Sequence, residues 1–302
     1  MAHNHTHNLK DQTSEKNLFI TMALNFFITL IEIIGGIISG SLSLISDALH
    51  NFSDGLAIII TYIAMRLSKK PKTIKHTFGL KRAEIIAAII NASSLIIISF
   101  FLIKEAIARL YHPATITGSL MLLVAVSGLS ANIVGTLLLK KGSKNNLNIK
   151  AAYLHLLSDA VSSLAVIIGA IFIIYYQIYW IDPLLTILIA LYILKETVAI
   201  VKESVAIIMM AVPEGINLDE IKMHIEEITP VKNVHHVHIW KMNDTDIHFE
   251  AHIEVDPISV EATSSIKKQI EAVLHDTYAI NHTTLQFECG LCGDADLVSN
   301  AG

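Results

Sequence analysis

The chain has 302 residues, of which 53% are hydrophobic and only 16% charged, with a mean hydropathy of +0.55. A soluble domain carries roughly a quarter of its residues as charges, so this composition excludes an ordinary cytosolic protein and points to several membrane spans. The formal charge of −5 offers no case for nucleic-acid binding, and 15 His beside 2 Cys direct attention to metal ligands.

The polar start, Met1 to Glu15, predicts no cleavable secretory signal. Residues 3–7 read HNHTH, which is either a disordered terminus or a weak metal-capture tail. Residues 1–14 are therefore set apart as a His-bearing cytoplasmic tail. Six apolar segments follow, at 18–38, 42–65, 83–103, 117–139, 150–176 and 180–208, within a membrane domain taken as 15–208. Each is long enough to cross a hydrocarbon core of ~30 Å at about 20 residues per helix. Lys195, Glu196, Lys202 and Glu203 interrupt the sixth, which is expected to leave the bilayer near Lys195 and continue as an amphipathic helix. Asp182 and Pro183 suit the first turn of that span, where proline is tolerated.

The loops set the orientation. The second connection carries Arg66, Lys69, Lys70, Lys72, Lys75, Lys81 and Arg82, and the fourth carries Lys140, Lys141, Lys144 and Lys150. The turns after segments 1 and 5 have no Lys or Arg, and the third connection has only Lys104 and Arg109. Positive charge stays on the cytoplasmic side, so both termini are expected inside.

Two copies of one pattern lie within these spans: His50-Asn51-Phe52-Ser53-Asp54 and His155-Leu156-Leu157-Ser158-Asp159. On a helix, i and i+4 share a face, so each copy offers an imidazole beside a carboxylate. Ionisable groups at membrane depth are costly and mark functional sites. The copies recur three spans apart and so run in opposite directions, which is the mark of a 3+3 inverted repeat with its site at the repeat interface. Each pair lies eight and twelve residues into its helix, counting from Leu42 and Leu147. That is roughly 12–18 Å deep from opposite faces, near the midplane. Two neutral nitrogens and two carboxylates form a four-ligand set suited to tetrahedral zinc, with no position left open for a catalytic water. The plainer alternative is that these groups hydrogen-bond helices together. The other polar residues inside spans, Asn25, Glu32, Glu84, Asn91 and Asn132, either line an access path or hold helices together. Gly35, Gly36, Gly128 and Gly135 are expected to permit close helix approach.

From Val212 the pattern changes, and residues 209–302 are taken as a separate cytoplasmic domain. Residues 217–228 read as an amphipathic helix, 234–240 and 247–255 as alternating strands around a turn at Asn243-Asp244, 259–275 as a helix and 283–288 as a strand. The order αββαβ fits a small two-layer α+β domain. Its His cluster at 235, 236, 238, 248 and 252, and Glu288, Cys289 and Cys292 close its last strand. Alternation places His236 with His238 on one face and His235 with Val237 and Ile239 on the other. His248, Glu250, His252 and Glu254 form a polar face. These residues are either solvated edge groups or a metal site that the CxxC pair would join.

Taken together, these stretches resemble the cation diffusion facilitator family in its zinc-transporter branch. The resemblance runs through SLSLISDALHNFSD, HTFGLKRAEIIAAIIN, LHLLSDAVSSLAVI, the IDP start of the sixth span, ESVAIIMMAVPEGI, HHVHIW and TTLQFE, in that order and over nearly the whole chain. It implies a multi-pass protein of a bacterial inner membrane that exports divalent cations, chiefly zinc with Cd²⁺ or Co²⁺ as alternatives, against protons. It also implies a homodimer paired through a ferredoxin-like cytoplasmic domain, with membrane lipid around the spans and no organic cofactor. Carried over residue by residue, the transport ligands are His50, Asp54, His155 and Asp159, and His50 in place of Asp is the zinc-preferring form. Relatives' cytoplasmic ligands fall on His235, His252 and Glu288, with Cys289 and Cys292 resembling a CxxC found near the end of some members. His76 falls where some members hold a peripheral metal, although the usual companions are replaced, Leu80 among them. Two rivals come from other classes. An intramembrane zinc hydrolase needs HExxH or a nucleophile beside a base, and the sequence has neither. A membrane metal sensor would bind without flux.

Overall fold

The computed structural model describes residues 7–140, 147–243, 245–290 and 296–298. Six helices, α1 (His7–Ser39), α2 (Leu42–Ser68), α3 (Ala83–Tyr111), α4 (Gly118–Leu139), α5 (Leu147–Tyr176) and α6 (Ile181–Ile208), are each long and apolar enough to cross a membrane. They are followed by α7 (Leu218–Glu226), β1 (Val231–Lys241), β2 (Ile247–Val255), α8 (Val260–Tyr278) and β3 (His282–Glu288). The chain divides into two compact units, residues 1–63 with 87–201, and residues 64–86 with 202–302.

In the first unit the usual burial pattern is inverted. Large apolar side chains such as Ile37, Phe101 and Leu137 face outward, while Thr29, Glu32, Ser46, Asp47, Ser99, Asn132 and Asp159 are buried. That is the arrangement expected when the surrounding solvent is lipid, where apolar surface costs nothing and helices meet through small and polar residues. Helix α4 packs against both α1 and α5. Its glycines permit this: a Cβ on Gly128 would overlap Glu32 Oε1, and one on Gly135 would lie 2.9 Å from Leu156 and Thr21.

The α1–α2 turn is built around Gly40, whose φ of 75° few other residues adopt readily. The Ser41 N–H donates to the Gly36 carbonyl at 3.1 Å, and the Arg109 guanidinium, at the end of α3, donates to the Gly40 carbonyl. Asp182 caps the start of α2. Its carboxylate accepts from the Leu42 and Ser43 amides at 2.8 and 3.1 Å and from the Ser41 and Ser43 hydroxyls at 2.6 Å each. Helix α6 continues without a break past Lys195 to Ile208, the helical continuation expected there.

In the second unit the sheet has the order β1-β2-β3, with β1 antiparallel and β3 parallel to β2, joined by α8. Asn217 and Ser259 cap α7 and α8 by accepting from the Asp219 and Ala262 amides. The core forms where Ile221 and Ile225 of α7 and Ile266, Ile270 and Leu274 of α8, spaced to share one face, meet Val234, Val237, Ile239, Phe249, Ala251 and Ile253. One expectation changes here. His248 is not part of an open polar face but is buried, stacked on Trp240 and flanked by His282 and Phe78.

Candidate metal sites

Helix α2 carries His50 and Asp54 one turn apart, and α5 carries His155 and Asp159 in the same way; the structure brings the two pairs together. Contacts run in series: His50 Nε2 to Asp54 Oδ2 at 3.5 Å, Asp54 Oδ2 to His155 Nε2 at 3.3 Å, and His155 Nε2 to Asp159 Oδ2 at 3.4 Å. The two imidazole rings stand edge to face with centroids 6.1 Å apart. The quartet is thus an open row whose ends would draw inward around a cation.

Burial is asymmetric. The Asp159 side chain is 3% exposed, whereas that of His155 is 39% exposed. His50, Asp54 and His155 face a cavity of about 490 Å³ that Asn91, Ser158, Tyr192, Glu196 and Thr197 also line. Asn91 lines that cavity and also accepts from Ser53 of α2 at 3.3 Å, so it serves both readings, wall of the cavity and link between helices. Glu196, which the sequence assigns to the exit of the span, lines the same cavity.

The quartet passes a simple chemical test for a cation. Asp54 Oδ2, Asp159 Oδ2 and His50 Nδ1 are buried without a hydrogen-bond partner among the described residues. Buried acceptors left unmatched are costly, and a divalent ion would satisfy both carboxylates at once. Two groups hold the frame. Asp47, one turn before His50, accepts from Ser162 and Ser163 of α5 at 2.5 and 3.2 Å, which locks α2 to α5. Glu32 is buried against Gly128, its Oε2 without a hydrogen-bond partner among the described residues. Sequence reasoning missed Asp47. Its only trace is that Asp47 precedes one motif by a turn while Ser162 and Ser163 follow the other by a turn.

The second site is in the C-terminal domain. Cross-strand register sets His235 opposite His252 and Glu254 opposite Glu288, which brings three ligand groups to one spot. His252 Nδ1 is 2.9 Å and His235 Nε2 3.4 Å from the Glu288 carboxylate, and the three ligand atoms all lie within 4.8 Å of one another. Both His235 nitrogens and Glu288 Oε2 are buried and, among the described residues, make no hydrogen bond, His235 Nε2 and Glu288 Oε2 only facing each other at 3.4 Å. Buried polar atoms left at such a distance suit a metal drawn in between them, so these residues fit one.

The remaining expected ligands do not gather there. Cys289 is exposed and its thiol faces the Asp256 carbonyl at 3.7 Å, while Cys292 lies outside the described residues. His76 is exposed in the loop after α2, its amide bonded to Thr73, and among the described residues it belongs to no metal-ligand group. The HNHTH segment lies outside the described residues except for His7.

Comparison with known proteins gives a consistent result. Residues 18–209 match the model of the cation efflux transmembrane domain, and residues 213–289 match that of the cation efflux protein cytoplasmic domain. The zinc transporter ZitB of Escherichia coli strain K12 is 36% identical over 307 residues, covering 100% of this chain and 97% of the relative. The cadmium, cobalt and zinc/H⁺–K⁺ antiporter of Bacillus subtilis strain 168 is 36% identical, with 95% and 92% covered. The metal cation efflux system protein CzcD of Cupriavidus metallidurans is 34% identical, with 98% and 92% covered.

Proposed function

The chain belongs to the cation diffusion facilitator family, in its zinc-transporter branch, and from that premise we propose that it exports zinc across a bacterial inner membrane by alternating access in exchange for protons. His50, Asp54, His155 and Asp159 are the substrate ligands. One observation carries the reading: two identically spaced His/Asp pairs, 105 positions apart (155 − 50), meet beside a cavity with carboxylate oxygens left unmatched. Cadmium and cobalt are secondary substrates, in keeping with the names of the relatives. The charge bias of the loops supports cytoplasmic termini.

In this reading zinc enters between the half-exposed imidazoles and is gripped last by the buried Asp159. The two carboxylates offset its charge, and the imidazoles select against ions that prefer all-oxygen cages. His235, His252 and Glu288 hold a regulatory zinc, which when bound supplies a crosslink between strands of a domain that pairs with its counterpart in a second copy. Cys289 has no part in that set.

Zinc flux into reconstituted vesicles tests the transport reading. Wild type should move zinc, and Asp159→Ala should fall to the leak of protein-free vesicles while keeping its helical circular dichroism. A wild type that binds zinc but moves none would leave the sensor reading in its place.

A further inference from the structure

We propose a second divalent-cation site in the C-terminal domain, formed by His236 and His238 on the face of β1. It adds to the reading that this domain binds the exported metal, but it stands on separate geometry. Residues two apart on a regular strand share a face about 6.6 Å apart along the chain, and nothing drives their ring tips together. β1 is not regular here. Its register with β2 shifts between His235 and His238, and His236 adopts φ 51°, a left-handed conformation that a non-glycine residue takes at a cost. Bulges of this kind re-aim side chains.

The consequence is convergence. His236 Nε2 and His238 Nε2 stand 3.3 Å apart, with the rings edge to face. Two nitrogens each bound 2.0–2.1 Å from a tetrahedral zinc ion are about 3.3–3.4 Å from one another, so the observed gap is one edge of that tetrahedron. The bulge is held by the C-terminal segment: the His236 and Val237 amides donate to the Asp296 and Leu297 carbonyls at 3.5 and 2.9 Å. The His252 ring lies 4.7 Å from that of His236 and turns Nδ1 to Glu288, so the pair borders the buried site without sharing that nitrogen. His238 is exposed, which leaves the remaining coordination positions to water. Imidazole pairs suit zinc, nickel and copper over magnesium or calcium. An open two-nitrogen site binds more weakly and exchanges faster than a closed three-ligand one, so the domain would respond to zinc over two concentration ranges.

The test is equilibrium zinc binding to the full-length protein in detergent, comparing wild type, His238→Asn and Glu288→Gln. His238→Asn, at an exposed position that leaves the fold intact, should lose one ion per chain from the weaker phase and keep the tighter phases. Glu288→Gln should do the reverse. Copper(II) gives a second readout: the nitrogen-split electron paramagnetic resonance component of the last ion to bind, which His238→Asn should remove while the signals of the other imidazole sites stay. A His238→Asn isotherm that coincides with wild type would reduce the two rings to a hydrogen-bonded pair and overturn the proposal. Loss of both phases in His238→Asn would also overturn it, by making all the imidazoles one site. An unchanged Glu288→Gln isotherm would defeat the buried regulatory site and leave this one standing.

Discussion

Asp182 and His50 mark two ways in which one residue sets the chemistry of the membrane unit. Asp182 is fully buried and takes four donors at the start of α2, where the helix dipole also favours a negative charge. Because His50 and Asp54 sit two to three turns further on, that cap fixes how deep they lie. Asp182→Ala strands the Leu42 and Ser43 amides, and should cost on the order of 2–4 kcal/mol, read as a lowered thermal midpoint in detergent. In the proposed site His50 would act on selectivity instead. His50→Asp keeps a ligand at the same helical position but yields a harder, more negative set of three carboxylates and one imidazole. Competitive uptake by reconstituted protein should then show manganese or cadmium admitted more readily relative to zinc, with transport retained. Identical metal ratios for the two proteins would move selectivity elsewhere, into the helix packing around the site. The paired motif is legible in sequence because i, i+4 spacing alone puts His and Asp on one face. The bonds from Ser162 and Ser163 to Asp47 are not legible, since they depend on which helices become neighbours.

Among the elements, the strand Ile247–Val255 lies where periodicity puts it and six apolar helices occur in the expected order, because alternation and apolar length are local properties. Yet α1 begins at His7, inside the segment set apart as a tail, and α3 runs on to Tyr111. What periodicity could not foresee was interruption and cover. The bulge at His236 breaks alternation: Val234, Val237 and Ile239 face the helices, whereas His235 is set opposite His252 on the other face and not, as alternation predicts, with Val237 and Ile239. His248 has the alternation of a solvent-facing residue yet lies beneath Trp240, Phe78 and His282, two of which come from outside its own hairpin. That cover has a consequence for pH. Burial, then the His282 and Lys81 charges and more weakly Lys72, hold His248 below its ordinary value of 6.5, with Asp246 opposing. The unfolded chain therefore takes up a proton at this residue before the folded one does. The stability it contributes is present above 6.5 and is lost as pH falls toward the folded value. The fluorescence of Trp240, stacked on the His248 ring at 5.4 Å, should report a weakened cluster as pH falls below 6.5. His248→Gln should flatten that part of the titration, and an unaltered curve would place the acid-sensitive group elsewhere.

For the whole molecule, the order of spans and small domain was readable from hydropathy, but the grouping of the chain was not. Residues 64–86 belong with the C-terminal unit, where Lys81 pairs with Asp246 and Phe78 packs on His248, contacts between segments some 165 residues apart. If the paired motifs are the substrate ligands, as proposed, they would supply a coupling that no single helix could. Zinc binds deprotonated imidazole and carboxylate, so loading the quartet must release whatever protons it holds. Two carboxylates brought together away from water cannot both keep an uncompensated charge, and once zinc leaves, protons are the available replacement. In the proposed mechanism, an empty carrier that resets with protons and a loaded one that travels with zinc would make an antiporter, with each step limited by the other. In vesicles clamped at zero membrane potential, an imposed pH gradient directed against zinc movement should accelerate zinc flux, and reversing the gradient should slow it. Zinc moving at one rate under both gradients would mean that the quartet resets without protons, and the protein would then be a uniporter.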